Sequence, residues 1–228
     1  MLRAALLGCL LVAATAPAAP LIARAVNATS ARRRLSVDYQ EVAKLVASDA
    51  ATGDNFCSVA IDGNTIVVGA YQYDGGGSGS AYVLRTSDGG ATYVEVAKLT
   101  AADAAAEDLF GFSVAIDGNT VVVGARYDDD AGSMSGSAYV FLTTDGGATY
   151  DQVAKLTAAD AAAEDQFGVS VAIDGDTIVI GAYKDNSGRG SVYVFRTSDG
   201  GATYVEVAKL TASDAGPYNY FGVSVAID

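Results

Sequence analysis

The sequence predicts an all-β fold of four-stranded antiparallel sheets, and three observations carry that reading. A phenylalanine-led segment recurs at Phe56, Phe110, Phe167 and Phe221, in steps of 54, 57 and 54 residues, a fixed period of the kind that marks propellers, solenoids and arrays. An Ala-Lys-Leu element recurs in step with it, at Lys44, Lys98, Lys155 and Lys209. Each unit holds four short runs rich in Val, Ile and Tyr, separated by Gly or Asp, the pattern of strands and tight turns. Four-stranded sheets stacked about an axis are propeller blades. The chain therefore reads as a partial β-propeller: three complete blades, about 56–100, 110–157 and 167–211, and a lone strand at each end, 38–46 and 220–228.

The third unit shows the elements most clearly. Its strands are Val169–Ile173, Thr177–Ala182, Ser191–Arg196 and Tyr204–Leu210. The second strand, with Val121-Val122-Val123 and Ile66-Val67-Val68 as its other copies, is apolar on both faces and should be covered on both. The fourth carries Glu95 and Lys98, or Glu206 and Lys209, which suits a wetter outer edge. Strands one and two join through Asp-Gly turns at Asp62, Asp117 and Asp174, because a tight hairpin needs positive φ. Strands three and four join through Asp-Gly-Gly at Asp88, Asp145 and Asp199.

These residues carry two family resemblances. Phe56, Phe110-Gly111, Phe167-Gly168 and Phe221-Gly222, with Gly69, Gly124 and Gly181 each followed by Ala at the end of the second strand, resemble the FG-GAP repeat of integrin-α-type β-propellers. The resemblance covers residues 38–228. The third letter of the second motif is Tyr71, Arg126 or Tyr183 where the family has Pro, and Cys57 stands after Phe56 where it has Gly. The resemblance implies an adhesion-like role in binding an extracellular protein or a glycan. Many members hold Ca²⁺ in an Asp-x-Asn-x-Asp-Gly loop. Here that loop is a tight turn, Asp117-Gly118-Asn119, with too few oxygens for six or more ligands, so the family's calcium site is not carried over. The Thr-Ser-Asp-Gly-Gly-Ala-Thr-Tyr segments at 86–93 and 197–204, with 143–150, look like the Asp-box of sialidase-type propellers, where the box is a structural hairpin.

Ahead of the repeats, residues 1–20 read as a signal peptide: Arg3, an apolar core from Ala4, and a small-residue exit at Ala16-Pro17-Ala18-Ala19. Residues 21–37 read as a flexible spacer with a glycosylation sequon at Asn27 and an Arg32-Arg33-Arg34 run that serves either as a solvated linker or as a processing site. The expected location is outside the cell or on its surface, with no membrane insertion once the leader is cleaved. Three and a half blades fall short of the four to eight that close a ring, so the sequence is expected to be a fragment of a longer propeller, and its oligomeric state stays open.

The chain has 14 basic and 27 acidic residues, a net charge of −13, and no histidine. All the acidic residues follow Val37, while five of the basic ones precede it. A surface this acidic excludes nucleic acid as partner, because phosphate contact needs a basic face. Lack of histidine removes Ser-His-Asp and Cys-His nucleophiles and His-ligated zinc. With Cys9 in the leader, Cys57 is left without an internal disulfide partner and reads as a small buried residue. No catalytic residue is assigned. The other two functional readings are a fragment of a glycan-active enzyme, suggested by the Asp-boxes, and a structural protein of the extracellular matrix or wall.

Binding residues belong on variable loops held by a rigid frame. The turns between strands one and two, and three and four, are short and nearly identical among copies. The loops at the opposite end are long and differ: Tyr73–Gly79, Tyr127–Gly136 and Lys184–Gly190 between strands two and three, and the blade-to-blade loops Ala47–Asn55, Ala101–Leu109 and Ala158–Gln166. Their candidate ligand residues are Asp74, Asp103, Asp108, Asp128, Asp129, Asp130, Asp160, Asp165 and Asp185. The clustered carboxylates could hold Ca²⁺ or a cationic partner, with Asp128, Asp129 and Asp130 as the candidate ligands. The opposing reading is that these are solvated loops, since consecutive Asp side chains point different ways.

Overall fold

The computed structural model describes residues 41–72 and 77–228. The leader, the spacer, Asn27, the arginine run and Asp74 lie outside the described residues. Twelve strands form three four-stranded antiparallel sheets, each in sequence order. The first contains β1 (Asp54–Asp62), β2 (Thr65–Gln72), β3 (Ser80–Arg85) and β4 (Val94–Leu99). The second contains β5 (Phe110–Asp117), β6 (Thr120–Ala125), β7 (Ser137–Leu142) and β8 (Asp151–Leu156). The third contains β9 (Phe167–Asp174), β10 (Thr177–Ala182), β11 (Ser191–Arg196) and β12 (Val205–Leu210). A four-residue turn assigned as helix, α1 (Asp185–Gly188), interrupts the loop before β11, with Asn186 and Ser187 in the left-handed region. This is the all-β partial propeller that the repeat predicts.

The sheets pack face to face through two apolar layers. Val67 and Val83 of the first sheet meet Phe110, Val121, Val123 and Tyr139 of the second. Val122 and Val140 of the second meet Phe167, Ile178, Ile180 and Tyr193 of the third. Alternate residues of β6 thus serve opposite layers, which is why this strand has no polar face. Phe110 and Phe167 are fully buried. Each stands edge-on to two aromatic rings of its own third strand, Tyr139 and Phe141 at 5.4 and 6.0 Å, or Tyr193 and Phe195 at 5.4 and 6.0 Å. Edge-to-face pairs of this kind add about 0.5–1.5 kcal/mol beyond the area they bury.

The Phe-Gly and Gly-Ala glycines meet across the layer. A Cβ on Gly124 would stand 2.1 Å from the Gly168 carbonyl oxygen, and one on Gly69 would stand 2.0 Å from that of Gly111. Gly111, Gly168 and Gly222 have φ of +88°, +84° and +87°, a region that L side chains resist. Gly111 and Gly168 each begin a bulge in their strand, and the bulge turns their carbonyls toward the preceding sheet. Ser113 Oγ donates to Gly168 O, and Ser170 Oγ to Gly222 O, both at 2.8 Å. Phe110 N and Phe167 N donate to Ser78 O and Ser135 O at 2.8 and 2.9 Å.

At the opposite end the turns tie one sheet to the next. Gly118 N donates to Asp62 Oδ2 at 2.8 Å, and Gly175 N to Asp117 Oδ2 at 2.7 Å. In each Asp-box the aspartate gathers its own hairpin. Asp145 accepts Thr143 Oγ1 at 2.9 Å, Thr149 N at 3.0 Å and Thr149 Oγ1 at 2.7 Å, and Asp88 and Asp199 repeat the pattern. The threonine hydrogen bonds favour the charged form, so all three carboxyls lie well below the usual range, with Asp199 down to about 2.

Three expectations are corrected. Residues 41–46 form no strand, and of 220–228 only Phe221 takes part in sheet pairing, through a parallel bridge to Gly190. A strand needs a continued ladder of hydrogen bonds, and beyond the contact of Tyr220 and Phe221 with residues 188–190 neither piece makes one among the described residues. Cys57 is exposed, not buried. It is the lone bulged residue of β1, opposed by no residue of β2, and its Sγ lies 3.9 Å from the Phe112 carbonyl oxygen. Nor does Cys57 simply replace glycine: the pairing sets it opposite the two-residue bulges Gly111-Phe112 and Gly168-Val169.

Gly124→Ala should cost about 3 kcal/mol or more in urea unfolding, the upper end of overpacking penalties, because the nearest obstruction, the Gly168 carbonyl, is backbone of the next sheet. Gly118→Ala is the comparison: φ is +55° and nothing lies within 4 Å of an added Cβ, so only the left-handed strain of about 1–2 kcal/mol applies. Equal losses would show that sheet approach is not the constraint. For Asp145, a folded pKa below its unfolded value adds stability above about pH 4 that is lost as pH falls. Asp145→Asn should therefore unfold at a lower temperature than the parent at pH 7, and the two melting curves should converge toward pH 2.

Candidate functional site

The variable loops lie together, since antiparallel pairing sends the connections 73–79, 127–136 and 184–190 to the same end as the blade-to-blade loops. Hydrogen bonds knit them: Glu107 N donates to Gly77 O at 3.2 Å, and Glu164 N to Ser133 O at 2.8 Å. Glu107, Leu109, Glu164 and Gln166 take positive φ between +55° and +72°, a repeated left-handed kink just before each buried phenylalanine.

At this end each sheet carries one lysine, one tyrosine and one aspartate in contact. Lys98, Lys155 and Lys209 face Tyr82, Tyr139 and Tyr193 across the third and fourth strands. Each ammonium stands over its tyrosine ring, 5.4, 5.2 and 5.1 Å from the centroid. The blade-to-blade loop supplies the aspartate: Lys98–Asp49 is 2.5 Å, Lys155–Asp103 2.6 Å and Lys209–Asp160 2.7 Å. Tyr82 OH donates to Asp49 at 2.7 Å, and Tyr193 OH to Asp160 at 2.9 Å. Lys98 holds Asp49 below the usual carboxylate range, and Lys209 does the same for Asp160.

The second and third sheets add a further carboxylate. Asp128, 3% exposed, accepts Ser137 Oγ at 3.0 Å, Tyr139 OH at 2.7 Å and Lys155 Nζ at 3.0 Å. Asp185 accepts Ser191 Oγ and lies 2.7 Å from Lys209 Nζ. Burial opposes the charge on Lys155 and Lys209, yet the surrounding carboxylates hold both above the ordinary lysine value. Burial also drives Tyr139 and Tyr193 far up, so both remain neutral donors.

The Asp128-Asp129-Asp130 run does not converge. Asp129 accepts Met134 N at 2.7 Å from its own loop, while Asp128 and Asp130 both close on Lys155. Oxygens of Asp103, Asp128 and Asp130 lie within 4.8 Å of one another, a spacing a hard cation could use. The Lys155 ammonium already contacts all three, so an ion would have to displace it. Asp108 and Asp165 are buried caps of the kink, accepting Ala105 N at 2.7 Å and Ala162 N at 2.8 Å, and burial raises both carboxyls. Two signals for this arrangement stand in the sequence: the in-step Tyr and Lys of strands three and four, and the repeated Glu-Asp before Leu109 and Gln166.

An enzyme of the sialidase type would need arginines that converge on a substrate carboxylate. The described arginines disperse: Arg85 donates to Gly146 O of the next Asp-box, Arg126 stacks 3.8 Å from the Phe112 ring centroid, Arg189 donates to Ala215 O and Arg196 to Thr177 Oγ1. Among the described residues no helix is long and apolar enough to cross a membrane.

A family model described as FG-GAP repeat matches residues 39–84, 93–141, 150–195 and 204–228. No curated protein sequence matches the chain. Among solved structures the chain is similar to Sqt1 of Saccharomyces cerevisiae, at 12% identity and a TM-score of 0.46, over 72% of this chain and 36% of that one. It thus spans about a third of that protein's length.

Lys155→Met should destabilise by about 3–5 kcal/mol, the loss typical when one partner of a buried ion pair is removed, because it strands Asp128 among like charges. Lys98→Met, which breaks a pair exposed by 41% and 48%, should cost about 1 kcal/mol or less. Chemical denaturation of both variants at pH 7 checks the contrast, and equal losses would remove the cluster's structural role.

Proposed function

The chain belongs to the FG-GAP repeat family, and we propose that it is a binding module that recognises an extracellular protein or glycan through its loop end. The observation that carries this reading is the difference between the two ends. At one end the turns repeat almost letter for letter and are fastened sheet to sheet by Asp62 and Asp117. At the other, the 127–136 and 184–190 loops differ in length and sequence while resting on the same Lys–Tyr–Asp base. A surface that varies on an invariant support is how a scaffold carries recognition. The leader-like 1–20 segment and the acidic surface suit a secreted or cell-surface setting. The burial of Asp108, Asp128, Asp165 and Asp185 directs recognition to carboxylates that keep about half their side chain exposed while contacting a lysine, among them Asp103, Asp130 and Asp160.

The test is a loop graft. Replacing 127–136 by the 184–190 sequence keeps an aspartate in register for Lys155 and so preserves the base. Parent and graft are passed over immobilised glycans and matrix proteins by surface plasmon resonance. At least one surface should bind the parent, and the graft should bind it about tenfold more weakly, a change of about 1.4 kcal/mol, at an unchanged melting temperature. Absence of binding throughout, or binding indifferent to the graft, would sink the proposal. Release of reducing sugar from a glycan surface would instead support the enzyme reading.

A further inference from the structure

Three tyrosines make a corner at the loop end of the third sheet. The Tyr183 and Tyr220 rings lie 5.4 Å apart with their planes at 55°, and the Tyr220 and Tyr218 rings 6.1 Å apart with their planes at 66°. Tyr218 is 74% exposed and Tyr220 39%. The other copies have no aromatic residue at either of the last two places. The third residue before the repeat phenylalanine is Gly53, Glu107 or Glu164 there, and the residue directly before it is Asn55, Leu109 or Gln166. The backbone at Tyr218 and Tyr220 still keeps the left-handed kink, with φ of +65° and +55°. Glu107 and Glu164 are exposed although a complete sheet follows each of them. The place that Tyr218 occupies thus faces solvent in those copies too.

The corner is fastened to the 184–190 loop. Tyr220 N donates to Gly188 O at 2.9 Å, Phe221 N to Arg189 O at 3.0 Å, and Arg189 Nε to Ala215 O at 3.2 Å. Gly188 lets the rings lie against this loop: its φ is +77°, and a Cβ on it would stand 3.1 Å from Tyr220 Cε1 and 3.4 Å from Tyr218 Cδ1. None of the three hydroxyls has a hydrogen-bond partner among the described residues, whereas Tyr82, Tyr139 and Tyr193 spend theirs on carboxylates. Asn186, whose Oδ1 accepts Arg189 Nη1 at 3.1 Å, brings a side-chain amide to the same loop.

We propose that this corner is a subsite for a neutral pyranose, which lays the C–H face of its ring on Tyr218 and offers its hydroxyls to the phenol hydroxyls and the Asn186 amide. Tyrosine gives a large, rigid contact that is apolar on its face and polar at its tip. The backbone bonds to Gly188 and Arg189 hold the rings in place before any ligand arrives, which lowers the ordering cost of binding. An aliphatic side chain from a protein partner would cover the rings and leave the hydroxyls and the amide unmet, a loss that a sugar avoids. Charge selects a neutral sugar over an acidic one: Lys184 of this loop already lies 3.6 Å from Glu164, and the chain carries a net charge of −13.

The inference rests on the loop end being a recognition face, but the loop graft alters 127–136 and leaves these tyrosines in place, so the two can fail separately. Methyl β-galactopyranoside and methyl β-glucopyranoside are titrated into the full chain and followed by saturation-transfer NMR, with irradiation of the protein's aromatic protons. Sorbitol serves as the polyol without a ring face, and N-acetylleucine amide as the aliphatic side chain of a protein. Saturable transfer is expected to at least one pyranoside, strongest at the ring protons of a single face, and none to sorbitol. Tyr218→Glu installs the residue that stands at this place in two other copies, so the melting temperature should not change while the pyranoside binds at least about tenfold more weakly. Tyr218→Phe keeps the ring and should keep most of the binding. Lack of saturation with both pyranosides in the millimolar range, an equal response to sorbitol, or indifference to Tyr218→Glu would overturn the proposal. Preference for the leucine amide over both sugars would overturn it in favour of a protein partner.

Discussion

The stack stands on a contact between two backbones. Where Gly124 of one sheet meets the Gly168 carbonyl of the next, the space left for a side chain is smaller than a methyl group. The same holds between Gly69 and Gly111, and between Gly181 and Gly222. This approach sets the spacing of the sheets near their first strands, and the rest follows from it. The phenylalanine before each bulge is carried into its own sheet's aromatic layer. The serine after it can reach across to a carbonyl only because the bulge has turned that carbonyl outward. The valines of β6 can serve two layers only because both neighbouring sheets are held within contact of them. Hydrophobic burial supplies most of the cohesion, but it is not directional; the glycine contacts select one geometry among the many that would bury the same residues.

The period, the number of complete sheets and the identity of their strands are legible in the sequence because repetition averages out local noise. Three of the four Ala-Lys-Leu copies end a fourth strand, even though Val94 and Val205 at its start are exposed. The ends are less legible for the same reason. Residues 41–46 and 220–228 have the letters of strands, but a strand is a pairing and not a property of its letters, and the pairing is missing there. Cys57 misleads in another way. Counting from Phe56 sets it on glycine, whereas the β-ladder shows one bulged residue doing what two do in the other copies, and a bulged residue follows no rule of alternation.

The acidic loops show how composition can be read correctly and still leave the partners of each carboxylate to tertiary structure. A surplus of carboxylates suggests a site for a cation, and the cation is present as lysine. Lys98, Lys155 and Lys209 project from the fourth strand into the loops and gather one, three and two carboxylates. On the sequence they read as marks of a wet edge, because a side chain's reach back across a neighbouring tyrosine is a tertiary fact. Asp108 and Asp165 are likewise spent on a kink that their own backbone makes. Carboxylates that are satisfied internally contribute charge and solubility to the surface, but few free lone pairs.

In a repeat protein the copies serve as controls for one another. A residue found at the same place in every copy answers to the stack: the Asp-box aspartates, the strand-three tyrosines and the strand-four lysines all have a structural partner that explains them. A departure has no such explanation and must answer to something else. The first sheet has Tyr73 at the sequence position of Asp128 and Asp185, yet it keeps Ser80 in register, and its Tyr82 and Lys98 meet Asp49 as Tyr193 and Lys209 meet Asp160.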